Sequence, residues 1–123
     1  MENTLKISKG TADKKNAYLS IAFEGEFDKA GYSDIREQLD KSLDSFASAE
    51  NASLKTLVFD FSKLKYINSQ GIGVLMEIHT KLKELGKALV IVGLNANVKD
   101  VFNAIGMNEM VKLYDNMKAF LNK

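Results

Sequence analysis

Two rhythms of apolar residues alternate along this chain. Tyr18, Leu19, Ile21 and Phe23 carry the short period of a strand, and Leu5 to Ser8 reads as a shorter strand before a polar turn over 9–16, so the two predict a hairpin. Gly25-Glu26-Phe27-Asp28 ends this block, with Asp28 placed to cap a helix. In that helix Ile35, Leu39, Ser42, Leu43 and Phe46 share one face at 3.6-residue spacing. After a small polar loop over 48–53, Thr56 to Phe61 form a nearly continuous apolar run, the pattern of a strand buried on both faces. The next helix is predicted to begin at Ser69. Its apolar stripe is Val74, Leu75, Ile78, Leu82 and Leu85, and Gly86 stops it.

Ala88 to Val92 is a further buried strand. Strand, helix and strand at this spacing make a βαβ unit, so Leu57 to Phe61 and Leu89 to Val92 are predicted to be parallel neighbours joined by a right-handed crossover. Val98, Val101, Phe102 and Ile105 predict a third helix face, closed by Gly106 with Met107 as its apolar partner. Val111 to Tyr114 reads as a last short strand, and Asp115 as the cap of a terminal turn carrying Met117, Phe120 and Leu121. The expected class is α/β, one domain over residues 1–123, without repeat, low-complexity tract or linker.

Composition narrows the function. Of the 123 residues 46% are apolar, enough for a core, and the net charge is +1. Such a weak field implies no broad basic face for nucleic acid and no strong pull to an anionic membrane. The absence of cysteine removes disulfides, thiolate metal sites and thiol catalysis together. Met1 to Lys6 lack the apolar run of a signal peptide, and no segment approaches the ~18 apolar residues that span a bilayer. A cytoplasmic protein without membrane insertion is the expectation.

The candidate chemistry gathers where the strand ending in Phe61 leads into the helix at Ser69. A serine at a helix start lies beside unpaired backbone N–H groups and the positive end of the helix dipole, which can hold the charge of an added phosphoryl group. Gly71-Ile72-Gly73 opens a helix after a strand, but Met76 stands where a dinucleotide fingerprint needs its third glycine. His79 is the single histidine, too few for a metal cluster, and reads as a boundary residue beside the buried stripe. Asp60 ends a strand but is one carboxylate alone. With the core stripe on Leu75, Ile78 and Leu82, Ile72 and Met76 are expected to point sideways toward solvent and Gly73 to lie nearly opposite the core. An apolar pair beside a glycine would let another protein's backbone come close.

These residues resemble a known family. Asp60-Phe61-Ser62, Leu64, Tyr66-Ile67 and Asn68-Ser69-Gln70-Gly71-Ile72-Gly73 are similar to the signature of STAS domains, specifically bacterial anti-sigma factor antagonists. Gly25-Glu26-Phe27-Asp28, Gly93-Leu94-Asn95 and Val101-Phe102-Asn103-Ala104-Ile105-Gly106-Met107 resemble its other segments, so the likeness runs over nearly the whole chain. It implies a mixed β-sheet with helices packed mainly on one face. It implies a non-catalytic partner switch, without cofactor or metal, that binds an anti-sigma factor serine kinase. The kinase phosphorylates one serine, here Ser69, and a serine phosphatase reverses this. Asp28, Asn68, Gln70, Gly71, Ile72, Gly73 and Met76 are the expected partner-binding residues, and any self-association is expected to be weak. Two departures stand out: Asn68 occupies a position that is usually aspartate, and Gln70 one that is usually serine or threonine. The alternatives are a scaffold subunit of a signalling or lipid-transport assembly that uses the same domain, and a small-ligand or nucleotide sensor.

Overall fold

The sheet is built around two long neighbouring strands. The computed structural model of the protein describes residues 5–123; the first four residues of the expected domain lie outside them. In chain order the elements are β1 (Leu5–Ile7), β2 (Thr11–Asp13), β3 (Tyr18–Phe27), α1 (Lys29–Ala47), β4 (Thr56–Ile67), α2 (Ser69–Glu84), β5 (Ala88–Val92), α3 (Ala96–Ala104), β6 (Lys112–Tyr114) and α4 (Met117–Leu121). The strand order is β1-β3-β4-β5-β6, with β2 also on β3. Strands β3 to β6 run parallel to their neighbours, whereas β1 and β2 are antiparallel to β3, so the sheet is mixed. The expected pairing of Leu57 to Phe61 with Leu89 to Val92 is present, as parallel neighbours.

β2 falls in the segment expected to be a polar turn. β1 and β2 are one edge strand interrupted by a bulge: from Ile7 to Thr11 the edge takes four steps while β3 takes three, from Phe23 to Ser20. A polar edge strand needs no apolar alternation, which is why 11–13 carried no strand signal. Within the bulge, Ser8 Oγ accepts from the Ala22 N–H at 2.8 Å.

Strand alternation assigns the two faces. Leu19, Ile21, Phe23, Leu57, Phe59, Leu89 and Ile91 turn to a large core roofed by α1, α2 and α3. Tyr18, Val58, Val90 and Val92 turn the other way and pack with Phe120 of the short α4, with Tyr114 and Met117 at the margin. The helices thus lie mainly on one face, as the resemblance implied. The centre of the large core is aromatic: the Phe23 ring lies 4.7 Å from Phe59, 5.1 Å from Phe61 and 5.6 Å from Phe27, centroid to centroid.

Several expected boundaries shift for local reasons. α2 ends at Glu84, so Leu85 leaves the stripe and stands 54% exposed. On α3, Val98 and Phe102 are buried while Val101 is exposed; Ile105, on the same stripe as Val98, is exposed because it is the cap beyond the helix end at Ala104. Gly106 is left-handed at φ 76° and Met107 is buried behind it, as expected. The terminal turn is capped by Asn116, whose side chain accepts from the Ala119 N–H; Asp115 is not the cap. The end of α1 is closed from a distance: the Lys87 ammonium donates to the carbonyls of Phe46 and Asn51 at 2.7 and 3.1 Å. Burial, and secondarily the nearby Lys55, pulls Lys87 below the usual lysine range.

Because Phe23 is 1% exposed at the crossing of three rings, Phe23→Ala should cost about 3–5 kcal/mol. Urea unfolding should show the midpoint falling with little change in slope, whereas Val101→Ala should move it by less than about 1 kcal/mol.

Candidate functional site

The last residue pair of β3 and β4 is Phe27 opposite Ile67, and each strand then turns at once into a helix. The two turns use the same device. Asp28, in extended conformation, caps α1 by accepting from the Gly31 N–H at 2.8 Å. Asn68, also extended, caps α2 by accepting from the Gln70 and Gly71 N–H groups at 3.1 and 3.2 Å. In both cases a buried glycine sits three residues after the cap. The turns are also tied to each other, since the Asn68 N–H donates to the Phe27 carbonyl at 3.2 Å.

β4 reaches this point through two bulges. Between Ala22 and Glu24 on β3, β4 advances from Asp60 to Lys63; between Gly25 and Glu26 it advances from Leu64 to Tyr66. Each bulge inserts a residue and turns the next side chain over. Phe61, Leu64 and Ile67 therefore all point into the core at a spacing of three. That spacing hid the last half of the strand, which was expected to stop at Phe61. The free edge of this extension is held by Asn95, whose side chain donates to the Leu64 carbonyl at 2.8 Å and accepts from Val98 N–H as the cap of α3. Gly93, at φ 80°, packs against Ser62 and Asp60; the Asp60 carboxylate itself accepts from the Ser62 N–H and hydroxyl.

The structure brings Asp28, Asn68, Ser69, Gln70 and Gly71 to one end of the sheet. Ser69 is the first helical residue rather than the cap, a role that falls to Asn68. Its side chain is exposed and makes no hydrogen bond among the described residues. Gln70 is exposed beside it. Gly71 is buried in a place only glycine fits: an added Cβ would lie 2.5 Å from the Phe27 carbonyl oxygen and 2.8 Å from Ile67 Cγ1. Gly73 is the opposite case, exposed, with open space where a methyl group would stand. Ile72 and Met76 do not point freely to solvent; both are half-buried and packed against the large core. Their edges flank the open strip at Gly73 rather than projecting from it. His79 is half-buried on the same helix, the boundary position expected of it.

Gly31 and Asn95 were missed as parts of this arrangement. The repeated spacing of a capping residue and a glycine three later was the available signal for Gly31. Nothing in the sequence marks the long-range bond from Asn95 to Leu64. Among the described residues no three His, Cys, Asp or Glu side chains are grouped to hold a metal, and no helix is long and apolar enough to cross a membrane.

The sequence profile of the STAS domain matches residues 10–119. The chain belongs to the STAS domain family. Its fold is similar to that of an anti-sigma factor antagonist from Mycobacterium paratuberculosis, with a TM-score of 0.74 at 15% identity over 99% of this chain and 95% of the other. It is similar also to the Bacillus cell fate determinant SpoIIAA in its phosphorylated form, with a TM-score of 0.61 at 15% identity over 96% and 97%. The same fold occurs inside a larger protein, SLC26A9, where 86% of this STAS domain matches 19% of that chain with a TM-score of 0.68 at 15% identity.

The two glycines should respond in opposite ways. Gly71→Ala should destabilise by roughly 1–3 kcal/mol, since backbone must move to admit the methyl. Gly73→Ala should stabilise by up to ~1 kcal/mol, the ordinary helix preference at an unobstructed site. Chemical denaturation of both variants checks this.

The caps should separate in the same experiment. Asn68→Ala should cost ~1 kcal/mol through two lost hydrogen bonds, and Ser69→Ala less than half of that.

Proposed function

We propose that this STAS domain is an anti-sigma factor antagonist of the cytoplasm, and that Ser69 is its phosphorylation site. The observation that carries this reading is the exposed, unengaged Ser69 hydroxyl at the first position of α2, one turn from the open strip at Gly73. The partner is an anti-sigma factor with serine-kinase activity. It docks over the α2 N-terminus, touching Asp28, Asn68, Gln70, Ile72, Gly73 and Met76, while Gly71 shapes the surface from beneath. A serine phosphatase resets the site. The resemblance of the central motif to the antagonists supports this role, as does the fold shared with SpoIIAA.

The electrostatics support the site. A phosphoserine carries about −1.5 to −2 charges at pH 7. At the first position of a helix the dipole favours that charge by roughly 0.3–1 kcal/mol. Asn68 caps without a charge, so the phosphate would have no carboxylate cap to repel it. Modification would therefore leave the fold in place while placing charge and bulk on a surface built for close approach.

A second reading is a scaffold subunit in a larger signalling or transport assembly. The fold's presence as a segment of SLC26A9 favours it. Persistent association with transport components, independent of Ser69, would distinguish it.

Incubation with the cognate kinase and ATP, followed by peptide mapping, should place one phosphate on Ser69. Ser69→Ala should remain unlabelled and bind constitutively, and Ser69→Asp should bind more weakly. Gly73→Trp should block the complex while leaving the far-UV circular dichroism spectrum unchanged. Phosphate elsewhere or none, together with binding indifferent to Gly73, would overturn the antagonist reading and leave the scaffold.

A further inference from the structure

The helix layer has a second surface at its other end. α1 and α2 each leave the same end of the sheet, so they run side by side in the same direction. Toward their C-terminal ends a groove of about 320 Å³ lies between them, with Leu43, Ile78 and Leu85 among its apolar residues. Leu85 is 54% exposed at its rim, although its place in the sequence continues the buried stripe of α2. The walls carry opposite charge: Asp40 and Asp44 on α1, Lys81 on α2. Neither Asp44 nor Lys81 has an ion-pair partner among the described residues. One turn toward the helix starts the signs are reversed, with Arg36 on α1 and Glu77 on α2. Arg36 pairs along its own helix with Asp40 at 4.0 Å, and Glu77 stands on the outer side of α2 with Lys81 and Glu84.

The opposite charge of the two walls selects one occupant and one symmetry. A two-fold axis along the helices lays α1 of one copy over α2 of the other. It sets Asp44 against Lys81 of the second copy, a pair that occurs twice. An axis across the helices would lay α1 on α1 and confront Asp40 and Asp44 with themselves. The geometry points to a symmetric homodimer through the α1–α2 groove, with Leu85 of each copy entering the apolar floor of the other. The surface lies at the opposite end of α2 from Ser69, and the inference does not depend on modification of that residue.

Sedimentation equilibrium of the full chain over a wide concentration range tests it. The wild type should pass reversibly from chain mass to twice chain mass. Leu85→Glu, a change at an exposed position, should weaken dimerisation by at least about tenfold. Asp44→Lys and Lys81→Asp should each be monomeric at concentrations where the wild type pairs. An equimolar mixture of those two variants should recover twice the chain mass, because both cross-pairs become attractive again. The recovery separates a docking effect from damage to either fold. A wild type of single-chain mass at every concentration overturns the proposal, and so does a dimer that ignores Leu85→Glu or a mixture that stays monomeric.

Discussion

The close approach of α2 to the end of β3 is the constraint on which the site rests. Gly71 lies so near the Phe27 carbonyl and the Ile67 side chain that a single methyl group would not fit. The Asn68 N–H donates to that same carbonyl, so strand end, turn and helix start share one point of contact. Moving α2 outward by even the width of a methyl would break this bond and open the core beneath Leu75, which is fully buried. The first turn of α2 is therefore held by packing from below and by Asn68 from its end. What remains free is its outer surface, where Ser69, Gln70 and Gly73 are exposed. A rigid inner face beneath an open outer one means that a change confined to the outer surface need not rearrange the domain.

The bulges of β4 serve the same geometry. A regular strand of twelve residues would have sent alternate side chains out of the core all the way to the turn. Two inserted residues instead keep Phe61, Leu64 and Ile67 on the core side while the strand outruns β5. Outrunning β5 leaves backbone groups on one edge without a strand partner, and Asn95 takes one of them, the Leu64 carbonyl. The start of α3 is thereby fastened to the segment that delivers Asn68 and Ser69. The turn is supported from three sides, by β3, by the core and by α3.

Much of this was legible in the residues because the two apolar periods are strong where burial is complete. Leu57 to Phe61 and Leu89 to Val92 admit one reading, and their parallel pairing followed from the helix between them. Legibility failed where a rule depends on a contact remote in sequence or on a single dihedral angle. Asn68 and Ser69 can both cap a helix, and only the extended backbone at Asn68 decides between them. Asp115 and Asn116 pose the same ambiguity. Ile72 and Met76 were expected to point sideways toward solvent by their angle on the helix, but neighbouring elements bury more than one stripe. Gly73 was placed nearly opposite the core by its angle on the helix, but only the packing beneath Gly71, the Phe27 carbonyl and the Ile67 side chain, shows that position to be indispensable while Gly73 is unobstructed.

The capping residues carry a further consequence for charge. Asp28 and Asn68 occupy matching places at the starts of neighbouring helices, one a carboxylate side chain and one an amide. A carboxylate at both would put two negative charges beside each other and largely offset both helix dipoles. With an amide at Asn68, the positive end of α2 is satisfied in its hydrogen bonds at Gln70 and Gly71 but keeps its charge uncompensated. The most favourable place for an added anion at this end of the sheet is then the start of α2 and not that of α1. Ser69 is the hydroxyl that stands there, and its exposure leaves it open to a second protein. The amide at Asn68 thus lowers the cost of placing charge at the start of α2 while still capping the turn that presents it.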